Sequence, residues 1–137
     1  MAAEASRGSA PREAPHAHRI LVVEDDADLR DAMVHLLKRA GYVAIGAANG
    51  YEALHRLRAG PTPCLILLDL MLPAMDGWQF RRRQLEDPKL ARVPVIVCSA
   101  YGDEARTLAS LHVEHYLEKP LDPGVLLDLI ARRCARE

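Results

Sequence analysis

The chain has 137 residues, of which 50% are hydrophobic, 4% aromatic and 27% charged, and its formal net charge is -1. This balance argues against a general affinity for nucleic acid or anionic membrane, and the scarcity of aromatic side chains argues against a surface that stacks bases. The length suits one domain with a hydrophobic core of its own.

The first residues and the cysteines bear on the class of protein. Residues 1–17 are rich in Ala, Arg, Pro and Ser, so we expect a disordered tail. The three cysteines, Cys64, Cys98 and Cys134, are odd in number and lie in apolar segments. We predict that they are reduced core residues of a cytoplasmic protein, and that they form neither a disulfide framework nor a metal site.

After the tail, strand and helix patterns alternate. Ile20–Val23 is a short β-branched run that predicts the first strand. Apolar residues at helical spacing follow, with Asp28 as the expected N-cap of the first helix. Tyr42–Ile45 predicts the second strand, and Asn49 is suited to cap the second helix.

The third strand has the strongest signal. The uninterrupted apolar run Cys64–Leu68 predicts a strand buried on both faces, and Asp69 stands at its carboxyl end. A helix over about Trp78–Glu86 follows, with Leu85 among its candidates for burial. Val93–Cys98 then predicts the fourth strand.

The last part of the chain completes the alternation. It predicts a short helix over about Glu104–Leu111, a brief strand over His115–Leu117, and a final helix that begins at Asp122–Pro123 and runs to Cys134. Five strand–helix units with short connections predict an α/β fold. We expect a flavodoxin-like, doubly wound sheet of five parallel strands in the order 2-1-3-4-5, with five helices.

Polar residues follow four of the five predicted strands. Glu24 and Asp25 follow the first, Asp69 the third, Ser99 the fourth, and Lys119 the fifth. The carboxyl ends of parallel strands share one edge, so the carboxylates should converge and need a cation such as Mg²⁺. Each residue alone has an ordinary explanation as a helix cap, a turn or a surface lysine. Together they predict a phosphate site with a carboxylate nucleophile.

Four segments in this order resemble the receiver domain of bacterial two-component response regulators. The segments are Ile20–Asp26, Leu67–Gly77, Val93–Ala100 and Tyr116–Pro120. The resemblance covers about residues 18–135. It implies a stand-alone receiver domain over residues 18–137 without an output domain: a cytoplasmic phosphoacceptor that acts in signalling and is not an enzyme for other substrates.

The resemblance implies a role for each acidic residue. Asp69 is the expected phosphoacceptor, and the donor is the phosphohistidine of a sensor histidine kinase or a phosphotransfer protein. Glu24 and Asp25 are expected to hold Mg²⁺, for which Mn²⁺ is a possible substitute. Asp69 and the backbone carbonyl of Met71 complete the implied metal ligands.

The resemblance also implies a switch. Lys119 is expected to contact the phosphoryl group, and its peptide bond with Pro120 to be cis. Ser99 and Tyr116 occupy the two switch positions, through which phosphorylation shifts the face of the fourth helix, fifth strand and fifth helix. That face would bind an unknown downstream protein. We expect no direct contact with nucleic acid or membrane, and either a monomer or a phosphorylation-dependent dimer.

Two departures from the family pattern carry predictions. The segment from Ser99 to Lys119 is about two residues shorter than usual, which predicts a short or tilted fourth helix. Met71 and Tyr101, two positions beyond Asp69 and Ser99, are both bulky. Because these positions influence water access to the acyl phosphate in the family, we expect slow self-dephosphorylation.

Two alternative functions remain open at this point. A phosphatase of the haloacid-dehalogenase type also uses a strand-end aspartate, Mg²⁺ and a lysine, but it needs a second aspartate where this chain has Met71. The other alternative is a receiver-like interaction module that is not phosphorylated. The intact set of site residues argues against it.

The triplet Arg81–Arg83 is predicted to be a solvated helix face.

Overall fold

The computed structural model describes residues 18–100 and 104–134. The predicted tail and Tyr101 lie outside these residues. Strands and helices alternate through the described chain. The elements are β1 (Arg19–Val23), α1 (Ala27–Arg39), β2 (Val43–Ala47), α2 (Gly50–Ala59), β3 (Leu65–Leu68), α3 (Gly77–Glu86), β4 (Val95–Ser99), α4 (Glu104–Leu111), β5 (His115–Glu118) and α5 (Pro123–Cys134).

The strands form one parallel sheet in the order β2-β1-β3-β4-β5. The predicted doubly wound fold is thereby confirmed, with β3 at the centre between β1 and β4. No helix of the described residues is both long and apolar enough to cross a bilayer. Helix α4 spans 8 residues, in agreement with the predicted short fourth helix.

The sheet separates two hydrophobic cores because successive strand residues point to opposite faces. The core under α2, α3 and α4, called the α2–α4 core below, includes Leu21, Val23, Leu54, Ile66, Leu68, Phe80, Val97 and Leu111. The core under α1 and α5, called the α1–α5 core, includes Ile20, Val22, Met33, Leu37, Leu65, Leu67, Ile96, Leu126 and Ile130. All four residues of β3 are buried, which confirms the prediction made from its uninterrupted apolar run.

The helix starts are fixed by side chains that accept backbone hydrogen bonds. Asn49 caps α2 as predicted, and Asp76 caps α3. The prediction of Asp28 as the cap of α1 is wrong, because the Asp26 carboxylate accepts the hydrogen bond from the Leu29 N–H at 3.1 Å. Helix α1 therefore begins closer to the end of β1 than its first apolar positions indicated.

Helix α3 buries polar side chains where an apolar one was expected. Leu85 is 38% exposed, whereas Arg81 is buried, so the predictions for Leu85 and for a fully solvated arginine triplet are both wrong. The Arg81 guanidinium donates to the Leu111 carbonyl at 3.0 Å, the His112 carbonyl at 2.9 Å and the Gln84 side-chain oxygen at 2.7 Å. Burial lowers the pKa of Arg81. These hydrogen bonds fasten the end of α4 to α3.

The cysteines also differ from the prediction. Cys64 and Cys134 form a disulfide with a Cα–Cα distance of 5.8 Å, and only Cys98 stays a free, buried thiol. The two bonded residues are 70 positions apart. Their spacing along the chain gave no sign of contact, because it is the parallel sheet that brings the start of β3 beside the end of α5.

Candidate functional site

The carboxyl ends of β1 and β3 bring the three predicted acidic residues together. Glu24 and Asp25 follow β1, and Asp69 follows the neighbouring β3, where its N–H donates to the Val23 carbonyl at 3.0 Å. Oxygen atoms of the three carboxylates lie within 4.8 Å of one another. Glu24 and Asp69 are buried, and Asp25 is exposed. The cluster therefore has a dry interior and one side open to solvent.

Lys119 enters the cluster from the end of β5. Its Nζ lies 2.7 Å from Glu24 Oε1 and 3.1 Å from Asp69 Oδ2. Its backbone N–H donates to the Ser99 carbonyl at 3.0 Å, and its peptide bond with Pro120 is cis as expected. Burial acts to lower the pKa of Lys119, but the hydrogen bonds and charges of the two carboxylates outweigh it, so the pKa is raised. The ammonium group stays charged at neutral pH.

The environment of Glu24 raises the pKa of its carboxyl group. Burial raises the pKa of Glu24, and the negative charge of Asp69 adds to the increase, although hydrogen bonds from Lys119 and from the Asp26 N–H oppose it. The Glu24 carboxylate thus lies in a buried position beside the charge of Asp69, with Asp25 also within the cluster. A further cation at this position would relieve the remaining repulsion.

The donor set fits Mg²⁺. Three carboxylates with clustered oxygens are hard ligands of the kind that Mg²⁺ takes, and the exposed side of the cluster leaves room for water and phosphate oxygens. The Met71 N–H donates to Asp69 Oδ1 at 3.1 Å, which orients this carboxylate. Met71 is itself 53% exposed.

A close backbone contact shapes the loop between β3 and α3. The Gly77 N–H donates to the Leu70 carbonyl at 3.0 Å, and a Cβ at Gly77 would lie 2.7 Å from the Leu70 Cα. Only glycine allows this approach without displacing the loop. Ala74 takes a left-handed conformation with φ of 66° in the same loop. These contacts therefore fix the conformation of the loop that follows Asp69.

Ser99 and Tyr116 lie on neighbouring strands. Ser99 ends β4 and is fully buried, while Tyr116 on β5 is half-buried and packs against the α2–α4 core. Burial raises the pKa of Tyr116, the charge of Glu118 adds to the increase, and a hydrogen bond with Ser99 opposes it. The two expected switch residues are therefore connected directly to each other.

Arg30 supports the site and was missed from the sequence. Its Nη1 donates to the Glu24 carbonyl at 2.8 Å and makes a longer contact of 3.5 Å with the Asp25 carbonyl. The side chain lies across Gly46, where a Cβ would approach the Arg30 Cδ to 3.0 Å. The one available signal was a basic residue one turn into the helix that follows an acidic run.

A groove between α1 and α5 adjoins the site. Its volume is about 820 Å³, and its mostly apolar lining includes Ala32, Leu36 and Leu127. Lys119 forms part of the same lining, so the groove and the carboxylate cluster share this residue. No motif in the sequence indicated this surface.

Comparisons with known proteins agree with the fold. The sequence model of the protein family described as response regulator receiver domain matches residues 20–131. The phosphate regulon transcriptional regulatory protein PhoB of Pseudomonas aeruginosa is 36% identical over 82% of this chain and 48% of its own length. An uncharacterized 14.6 kDa protein of Leptolyngbya boryana is 38% identical over 84% of this chain and 88% of its own length.

Solved structures give the same result. A response regulator receiver protein from Pseudomonas putida has a TM-score of 0.79 and 32% identity, and the match covers 85% of this chain and 97% of that one. The chain spans about half the length of the PhoB relative, so it corresponds to one part of that regulator. The chain belongs to the response regulator receiver family.

Proposed function

We propose that Asp69 accepts a phosphoryl group from the phosphohistidine of a sensor histidine kinase or a phosphotransfer protein, in a Mg²⁺-dependent reaction. The observation that carries the proposal is the environment of this carboxylate. Asp69 is buried, its Oδ1 is held by the Met71 N–H, its Oδ2 by the Lys119 ammonium, and two further carboxylates lie beside it.

In the proposed reaction an Asp69 oxygen attacks phosphorus, the new P–O bond forms as the P–N bond to histidine breaks, and the imidazole leaves with a proton. Such transfer depends mainly on alignment and on compensation of charge. Lys119 already points at Asp69, and it supplies a positive charge to the incoming phosphoryl oxygens. Mg²⁺ held by Glu24, Asp25, Asp69 and the Met71 carbonyl would neutralise the remaining negative charge.

Ser99 and Tyr116 are the proposed readout of the reaction. When a phosphoryl oxygen appears on Asp69, it offers the Ser99 hydroxyl a new hydrogen-bond acceptor. The hydrogen bond between Ser99 and this oxygen then competes with the hydrogen bond between Ser99 and Tyr116. Tyr116 packs against the α2–α4 core, so a change in its position alters the face formed by α4, β5 and α5. We propose that this face binds a downstream protein, with the chain acting as a monomer or as a phosphorylation-dependent dimer.

We propose a cytoplasmic signalling domain that acts only on its own phosphoryl group. Met71 occupies the position where a haloacid-dehalogenase phosphatase needs its acid–base aspartate, which disfavours turnover of other substrates. The exposed Met71 side chain stands beside the phosphorylation site. It is proposed, together with Tyr101, to slow the loss of the phosphoryl group to water.

The groove between α1 and α5 is the proposed seat of the protein that donates the phosphoryl group, because Lys119 belongs to both the groove and the site. Ala32→Trp would fill the groove from an exposed position on α1. We expect slower transfer from a phosphorylated histidine protein but unchanged labelling by acetyl phosphate. Asp31→Trp, on the exposed side of the same helix, is the control, and equal transfer in both variants would contradict the assignment.

The central experiment is incubation with Mg²⁺ and acetyl phosphate, followed by intact mass measurement. We expect the gain of one phosphoryl group, its loss in Asp69→Asn, and its loss when a chelator removes Mg²⁺. Asp28→Asn changes an exposed aspartate of α1 and should be labelled like the unaltered protein. Failure of every small donor to label the unaltered protein, or labelling that persists in Asp69→Asn, would overturn the proposal.

A further inference from the structure

The disulfide joins two elements at the sheet edge opposite the acidic cluster. Cys64 directly precedes β3, and Cys134 is the last residue of α5. Cys64 is fixed to the sheet, since its N–H donates to the Arg19 carbonyl at 2.7 Å. Cys134 belongs to the α1–α5 core, in line with Ile130 one turn earlier. The bond therefore anchors the end of α5 to the strand that leads to Asp69.

We propose that Cys64 and Cys134 are a reversible redox pair whose partner is a low-molecular-weight thiol and its disulfide, and that the state of this pair sets how firmly the end of α5 is held against β3. The pair is a modification site separate from Asp69, at the other end of β3. Its formation and opening need no phosphoryl chemistry.

The reaction is a two-step thiol–disulfide exchange. The Cys64 thiolate attacks one sulfur of the small disulfide, forming a mixed disulfide and releasing one small thiol. The Cys134 thiolate then attacks the Cys64 sulfur, forming the protein disulfide and releasing the second small thiol. The two protons of the protein thiols end on the released thiols, so the protein loses two electrons and the small disulfide gains them. Reduction runs through the same steps in reverse.

The third cysteine provides an internal contrast. Cys98 is 2% exposed, and burial raises the pKa of its thiol to about 12, so its reactive thiolate form is scarce at neutral pH. Cys64 is 8% exposed and lies just before β3, whereas Cys98 lies within β4. Exchange should therefore begin at Cys64 and leave Cys98 unmodified.

The two redox states differ in what holds the end of α5. In the oxidised state a covalent bond fixes Cys134 to the sheet. In the reduced state both cysteines act as small apolar residues, and the last turn is retained by packing of residues such as Ile130 and by the ion pair of Arg133 Nη1 with Glu114 Oε1 at 2.8 Å. Helix α5 belongs to the output face of the proposed function, so on that basis the redox state would also alter how rigidly this face is held.

The test equilibrates the full chain with oxidised or reduced glutathione, and then alkylates the thiols under denaturing conditions for intact mass measurement. We expect one alkylated cysteine after oxidation and all three after reduction. Hydrogen exchange should be faster in the last turn of α5 after reduction, with β4 unchanged. The midpoint of thermal unfolding should fall by roughly 10 °C on reduction, since a long loop is no longer closed.

Variants separate the pair from general effects of oxidation. Cys98→Ala should keep the response to glutathione, and the double variant Cys64→Ala, Cys134→Ala should lose it. Three alkylated thiols after oxidation would overturn the proposal, as would a disulfide that excess reduced glutathione fails to open. Equal α5 exchange in both states would overturn the claim on the helix. Thiol counts do not depend on phosphorylation, so failure to label Asp69 would leave this result unaffected.

Discussion

Replacing Arg81 with methionine tests the hydrogen bonds that fasten α4 to α3. Methionine resembles the aliphatic part of the arginine side chain in length but lacks the guanidinium, which donates to two backbone carbonyls and to the side-chain oxygen of Gln84. A hydrogen bond made by a charged group contributes about 1.5–3 kcal/mol. Water can reach the His112 carbonyl, and the release of a buried charge offsets part of the loss. We therefore expect the free energy of unfolding to fall by about 3 kcal/mol.

Urea unfolding followed by circular dichroism measures this loss, and a thermal scan should show a midpoint lower by about 10 °C. Arg82→Met, the same substitution at the exposed neighbouring position, should stay within about 0.5 kcal/mol of the unaltered chain. The Val113 N–H, which donates to the Leu108 carbonyl at 3.3 Å, reports on the end of α4 and should exchange faster in Arg81→Met. Equal unfolding midpoints for the two variants would refute the reasoning.

Three further predictions concern the site. Lys119→Met removes the cation between two buried carboxylates. In the absence of Mg²⁺ we expect the free energy of unfolding to fall by about 2–3 kcal/mol, a moderate loss because the lysine side chain is 17% exposed and water screens part of the charge. Urea unfolding should show that adding Asp69→Asn restores part of this stability. Gly77→Ala places a Cβ 2.7 Å from the Leu70 Cα, which should cost about 1–3 kcal/mol in unfolding free energy and slow labelling by acetyl phosphate. Met71→Asn should shorten the lifetime of the phosphorylated form, which can be measured by recording the intact mass at successive times.

Each of these predictions has a clear contrary result. Equal stability of Lys119→Met and the unaltered chain in the absence of Mg²⁺ would show that the lysine does not compensate the carboxylates. A Gly77→Ala variant with unchanged stability and labelling would show that the loop adjusts freely. An unchanged lifetime in Met71→Asn would remove this side chain from any role in dephosphorylation.

The sheet and the acidic cluster were predictable because their signals are local. The apolar run before Asp69 is buried on both faces as its composition required, and the parallel order then placed Glu24 and Asp25 beside it. Asn49 caps its helix because a side chain that accepts a hydrogen bond directly precedes a helical pattern. Such features depend on a few neighbouring residues.

The missed features depend on contacts between distant residues or on competition between similar ones. Asp26 and Asp28 are equally suited to cap a helix, and only the path of the chain decides between them. Arg81 is buried because the end of α4 offers carbonyls to it, some 30 residues later. The pairing of Cys64 with Cys134 likewise appears only in the folded sheet.

The division of the molecule into two cores has a consequence for how its specificity can change. The groove proposed for the phosphoryl donor lies on the α1–α5 side, whereas Tyr116 packs on the α2–α4 side. The strands of the sheet lie between the two cores. We therefore expect that exposed changes on α1 can alter recognition of the proposed donor without altering the proposed partner that reads Tyr116, so that the two recognition properties can change separately in evolution and in engineering.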